Sequence, residues 1–126
     1  MKSKGYKVTG IDKLKLFRAL RRMGPKYLKS SYKSKWSRER PTTGYCYVVS
    51  EFLYHYIFKR NVDVYFTRVG KGTHWYLKQD GKIIDLTADQ FIDETVNYNK
   101  GQRASFITKH PSKRAIRLYN EYFKRN

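Results

Sequence analysis

Three β-rich runs separated by two tight-turn signals are the most restrictive feature of this sequence. Residues 62–69 (Val-Asp-Val-Tyr-Phe-Thr-Arg-Val) and 73–78 (Thr-His-Trp-Tyr-Leu-Lys) flank Gly70-Lys71-Gly72, and residues 82–87 (Lys-Ile-Ile-Asp-Leu-Thr) follow Asp80-Gly81. β-Branched and aromatic side chains suit a pleated, half-buried surface, and an Asp-Gly pair takes the positive φ that a two-residue hairpin turn needs. Such a meander must be covered by something else in the chain, because an isolated hairpin is marginal in water.

The remainder of the sequence offers helices for that purpose. Residues 11–23 repeat Ile11, Leu14, Phe17 and Leu20 at intervals of three, with Thr9 as a cap and Gly24-Pro25 as a stop. Residues 26–40 have no clear period and read as a basic, aromatic-studded connector with room for a short helix. Pro41-Thr42-Thr43-Gly44 is a turn, and Tyr45 to Phe58 is a largely buried helix. Ala88 to Glu94 starts a short helix, a polar loop runs through Gly101, and Pro111-Ser112 opens a last helix. Its apolar side is drawn from Ala115, Ile116, Leu118, Tyr119, Tyr122 and Phe123. The expected class is α+β: a central helix packed on a small antiparallel sheet of three or more strands. At 126 residues the chain is long enough for one domain with a buried core.

Charge divides the chain into three. The net charge is +12 over residues 1–40, −1 over 41–99 and +7 over 100–126, which makes up the total of +18. Basic ends attract nucleic acid, anionic surfaces or an acidic protein, or they serve only to keep a chain in solution. Lys13, Arg18, Arg21, Arg22, Lys33, Lys35, Arg114 and Arg117 are the candidates for such a surface, interleaved with Tyr6, Tyr27, Tyr32, Trp36, Tyr119 and Tyr122. No helix-turn-helix, zinc-finger or RNP-type pattern accompanies them, so base-specific readout is not indicated. The N-terminal Met1-Lys-Ser-Lys-Gly5 lacks the apolar run of a signal peptide, and no stretch approaches the roughly 18 apolar residues of a membrane span. A cytoplasmic location is the simplest expectation, and the size and charge would suit a phage-encoded or bacterial protein.

The chemistry of the sequence converges on its single cysteine. A lone Cys rules out an internal disulfide, and one Cys with three scattered His has no recognised metal-ligand spacing, so neither metal nor cofactor is expected. Cys46 falls in the first turn of the central helix, where unpaired N–H groups and aligned peptide dipoles favour a thiolate. A thiol nucleophile needs a base, and the base needs an orienting group. His55 lies half a helical turn out of phase with Cys46 and reads as a surface or packing residue. His110 has no patterned acidic partner. With a two-residue turn at Asp80-Gly81, Gln79 opposes Lys82, Tyr76 opposes Asp85 and His74 opposes Thr87. His74, Tyr76, Asp85 and Thr87 then share one face, and His74 and Asp85 become diagonal neighbours within reach of a hydrogen bond. The alternative is a hairpin with an unremarkable His and Asp on its solvent face. Together with a helix-start Cys, the pair predicts a catalytic triad of Cys46, His74 and Asp85.

Three segments carry a resemblance. Pro41-Thr-Thr-Gly-Tyr-Cys46, Gly72-Thr-His-Trp-Tyr76 and Asp80-Gly-Lys-Ile-Ile-Asp-Leu-Thr-Ala-Asp-Gln-Phe91 resemble the YunG-like family of small bacterial proteins. The order Cys on a helix, His on a strand and acid on the next strand is similar to that of papain-like and transglutaminase-like cysteine hydrolases. The resemblance spans about residues 36–92 and leaves the basic ends outside. It implies a papain-like core with Cys46 as nucleophile, His74 as base and Asp85 as its orienter. Relatives tend to carry Gln immediately before the Cys, where this chain has Tyr45, so the oxyanion donor would come from the backbone of Thr42, Thr43 or Cys46. Ser50, Tyr76 and Gln90 are further cleft candidates, each with a packing alternative. The expected function is a cysteine-dependent hydrolase or acyltransferase of peptide, isopeptide or amide bonds, whose basic ends recruit an acidic or nucleic-acid-associated target. The alternative is a non-enzymatic nucleic-acid- or acidic-protein-binding protein on the same scaffold.

Overall fold

A computed structural model describes residues 11–91 and 94–124. Its class is α+β, as expected. Helix α1 (Lys13–Met23) is followed by the short α2 (Ser30–Lys33) and by α3 (Cys46–Phe52). Strands β1 (Asp63–Val69), β2 (Gly72–Gln79) and β3 (Lys82–Ile84) form the meander, β4 (Gln102–Ala104) joins it late, and α4 (Lys113–Tyr122) closes the order. The antiparallel sheet runs β3-β2-β1-β4.

The turn chemistry acts as read. Gln79 pairs with Lys82 and Leu77 with Ile84, so Asp80-Gly81 is a two-residue turn. Asp80 and Gly81 both take positive φ, +51° and +78°, as a type I′ turn requires. Strand β4 was not anticipated: Gln102-Arg103-Ala104 has little strand character of its own. It pairs with Val64, Tyr65 and Phe66 because the outer edge of β1 offers unsatisfied backbone groups.

Two helices begin and pack differently from the sequence reading. Asp12 caps α1, its carboxylate accepting the Lys15 N–H at 3.2 Å; the proposed cap Thr9 lies outside the described residues. The buried stripe is Leu16, Ala19, Leu20 and Met23, whereas Leu14 is 68% exposed. A repeat of exactly three drifts around a 3.6-residue helix, so only the i, i+3, i+4, i+7 set stays on one face. The central helix is also not uniform to Phe58. After Phe52 it widens into a π-helical turn, Leu53–Ile57, and ends with Lys59 and Arg60 at positive φ. This aromatic run seats Tyr54 against Phe106 and Tyr56 against Phe52 and Tyr119, and no glycine is available to end it.

Helix α3 packs on β2 and on α4, and α4 packs along α1. Strand β2 turns Trp75 and Leu77 to one face and His74 and Tyr76 to the other. Tyr47 of α3 meets Trp75 edge-on, with ring centroids 4.9 Å apart, and Leu77 joins Val48, Phe52, Leu16, Leu20 and Leu118 in the core. Fully buried Glu51 ties α3 to α4: its carboxylate accepts the Ser112 N–H at 3.1 Å and the Ser112 hydroxyl at 2.6 Å. The same Ser112 oxygen accepts the Ala115 N–H and caps α4. On the other face of β2, the segment after β3 returns over His74 and Tyr76. A side chain at Gly101 would come within 1.8 Å of the Tyr76 hydroxyl, so the chain passes there on glycine.

Candidate active site

The hairpin register places His74 diagonally from Asp85, and the side chains meet. His74 Nε2 lies 2.6 Å from Asp85 Oδ2, with both side chains almost wholly out of solvent. The carboxylate is satisfied on every side. Oδ2 also accepts the Tyr98 hydroxyl at 2.6 Å, and Oδ1 accepts the Thr87 N–H at 3.2 Å and the Thr87 hydroxyl at 3.4 Å. A buried ionic pair with its remaining lone pairs filled is the geometry that holds an imidazole in one orientation.

Cys46 opens α3 beside the start of β2, where its Sγ lies 3.9 Å from the Thr73 carbonyl oxygen. The thiol also acts on the His74 imidazole, favouring its protonated form. Asp85 occupies Nε2, which leaves Nδ1 as the ring nitrogen on the side away from the carboxylate. Burial alone would push the His74 imidazole down. Hydrogen bonds to Asp85 and Cys46, and the negative charge of both, overcome that and hold it up at about 9. The site therefore keeps a protonated imidazole against the sulfur through neutral pH.

Gln90 comes to the same place from the 3-10 turn Ala88–Gln90. Its Oε1 accepts the Gly44 N–H at 3.1 Å, its Nε2 donates to the Thr87 carbonyl at 3.0 Å, and Nε2 stands 3.5 Å from His74 Nδ1. The carboxamide is thus pinned between the turn before Cys46 and the end of the hairpin. Gly44, at φ +78°, makes the turn possible; a side chain there would press on Leu28 and Tyr32 at 3.0–3.1 Å.

The other cleft candidates divide. Tyr76 is buried beside the imidazole, the rings near parallel with centroids 6.1 Å apart. Burial, with the Asp85 charge next, pushes its hydroxyl up to about 12, so it stays neutral. Tyr45 does not line the cleft with its hydroxyl, which donates instead to the Gly24 carbonyl at the end of α1. Thr43 turns both its N–H and its hydroxyl to the Arg40 carbonyl. Thr42 is fully buried, and its carbonyl accepts the Tyr45 N–H. The amides of Thr43, Gly44 and Tyr45 are all engaged, whereas the Cys46 N–H, at the first helical position, has no acceptor within its own helix. Ser50 is buried one turn along α3. Trp36 donates its indole N–H to the Pro41 carbonyl and braces the turn.

Sequence reasoning missed Tyr98 and Phe91. Phe91 meets the imidazole edge-on at 4.9 Å between centroids, and Tyr98 binds Asp85 from a loop with no periodic signal. The one signal that could have found it is an aromatic residue standing in a polar stretch. His55 packs against Tyr54 and Phe106, with neither ring nitrogen hydrogen-bonded. Among the described residues no three His, Cys, Asp or Glu side chains converge as a metal site would require, and no helix is long and apolar enough to cross a membrane.

The basic candidates lie on the helices that precede and follow the hairpin and on the connector between α1 and α3. Lys13, Arg18, Arg21 and Arg22 are on α1, Arg114 and Arg117 on α4, and Lys33 and Lys35 at the end of α2 and just beyond it. A family model described as YunG protein matches residues 13–124. The match takes in α1 and α4, so the narrower span of about 36–92 read from the sequence is corrected: the basic helices belong to the family's own extent. No curated protein and no solved structure matches the chain.

Proposed function

The chain belongs to the YunG family, and from the geometry of its buried polar cluster we propose that it is a cysteine-dependent hydrolase or acyltransferase of amide bonds, with a papain-like or transglutaminase-like arrangement. One observation carries this reading: the His74 imidazole, whose protonated form the thiol of Cys46 favours, is held by a buried carboxylate at 2.6 Å. A packing histidine has no need of a fully satisfied carboxylate behind it.

The residues divide the work as follows. The Cys46 thiolate attacks the acyl carbon, and the carbonyl π electrons move to oxygen. The Cys46 N–H and the second Nε2 hydrogen of Gln90 are the donors assigned to that developing charge. Collapse of the tetrahedral species breaks the C–N bond, and the His74 imidazolium gives its proton to the departing amine. Water or a second amine then attacks the Cys46 thioester, His74 takes the proton, and the thiolate is restored with the carboxylic acid or the new amide released. Asp85 holds the imidazole in place in both halves, and Tyr98 and Thr87 hold Asp85.

The test is chemical. At neutral pH iodoacetamide should alkylate Cys46 on the order of 10-fold or more faster than a free model thiol, because the sulfur opens a helix and shares its site with the cationic His74 imidazole, surroundings that assist its attack. An amine-releasing assay on acidic peptides should lose all turnover in Cys46→Ala with the circular dichroism spectrum retained. Alkylation no faster than the model thiol would overturn the proposal.

A further inference from the structure

We infer that the joined face of α1 and α4 binds single-stranded nucleic acid, stacking bases on Tyr119 and Phe123 and holding phosphates on the surrounding cations. The basic helices α1 and α4, far apart in the sequence, are one surface in space. The Asp12 N–H donates to the Tyr122 hydroxyl at 2.9 Å, and Arg22 pairs with Glu121 at 2.8 Å, which lays α4 along α1. Residues 12–24 and 112–124 together carry nine Lys and Arg against two acids, Asp12 and Glu121. Glu121 is buried and held by both Arg22 and Arg117, so its charge is spent on that pairing and the face still carries a large net positive charge. Lys13, Arg18, Lys113 and Lys124 are exposed.

The rings set the kind of partner. Helix α4 buries Ala115, Leu118 and Tyr122 but leaves Tyr119 37% and Phe123 47% exposed. Their centroids are 4.8 Å apart, Tyr119 is backed by Tyr56 at 4.4 Å, and the Lys15 ammonium stands 5.2 Å from the Phe123 centroid. Partly exposed rings, Tyr119 backed by Tyr56 and Phe123 carrying the Lys15 ammonium over its ring, with further cations around them, suit unpaired bases on a phosphate chain. A duplex keeps its base faces internal, and an acidic polypeptide would use the cations but not the rings. None of the groups of the thiol site takes part.

The test uses the full chain and a fluorescein-labelled oligouridylate of about 15 nucleotides, read by anisotropy. Contact with four or five phosphates predicts a log–log salt slope of about −3. Tyr119→Leu with Phe123→Leu keeps the apolar bulk and removes the faces, and should weaken binding on the order of 10-fold or more. Arg18→Gln with Lys113→Gln should weaken it and flatten the slope by about 1 to 2. If the double Leu variant loses its cooperative thermal transition, the two single Leu variants give the same reading. Undiminished binding by the Leu variants, equal affinity for a duplex of the same length or for polyglutamate, or no binding near 0.1 M salt would each overturn the inference.

Discussion

At the scale of single residues, the site is a set of competing preferences that Asp85 decides. Left alone, buried His74 would lose its proton; with Asp85 and Cys46 as partners it keeps it to about pH 9, against an ordinary 6.5. The folded state therefore binds this proton more tightly than the unfolded chain. The sign follows: the contribution to stability is fully present below about pH 6.5 and disappears as the pH rises through about 9. The urea midpoint of the wild type should accordingly decline across that interval more steeply than that of His74→Gln, and parallel curves would contradict it. Gln90 admits a cleaner separation of roles. Alkylation by iodoacetamide passes through no oxyanion, whereas acylation by p-nitrophenyl acetate does. Gln90→Ala should lower the ratio of acylation to alkylation rate on the order of 100-fold. An unchanged ratio, with both rates reduced, would make Gln90 a positioning residue. The His74–Asp85 diagonal was legible in the sequence because strand alternation and an Asp-Gly turn determine it. The Tyr98 hydroxyl on Asp85 was not, because loop closure carries it there and no local pattern records that path.

At the scale of elements, Glu51 and Ser112 govern how α4 meets α3. The carboxylate satisfies two Ser112 donors in a buried setting, and the Ser112 oxygen caps the helix that carries the basic face. Glu51→Ala strands both donors and should cost on the order of 3 kcal/mol, while Ser112→Ala should cost about 1–2 kcal/mol. The double variant should cost clearly less than the sum, since both changes remove the Ser112 hydroxyl–Glu51 bond. Chemical denaturation of the four proteins measures this directly, and strict additivity would show that the contact is incidental. The strands of the hairpin were readable from their own residues. Strand β4 was not: Gln102-Arg103-Ala104 becomes a strand only because β1 has an open edge beside it. The π-helical turn was equally hidden, since period alone does not distinguish a helix that widens to seat its rings.

At the scale of the molecule, a net charge of +18 on 126 residues makes self-repulsion a real term, and packing α1 against α4 concentrates it. Adding salt from about 50 to 300 mM shortens the Debye length from about 14 to 6 Å and should raise the thermal midpoint by a few degrees. A flat or falling midpoint would mean that the paired acids already offset the repulsion. The sequence by itself determined the class of fold, the hairpin register and the partnership of His74 with Asp85. Each of these depends on turn dihedrals and side-chain alternation that neighbouring residues impose. Only the tertiary structure decided that Gln90 and Tyr98 complete the thiol site, that Tyr45 turns away from it, and that two distant basic helices become one face. Those outcomes depend on which surfaces find each other once the core is buried, and the free energy of that burial is shared among residues far apart along the chain.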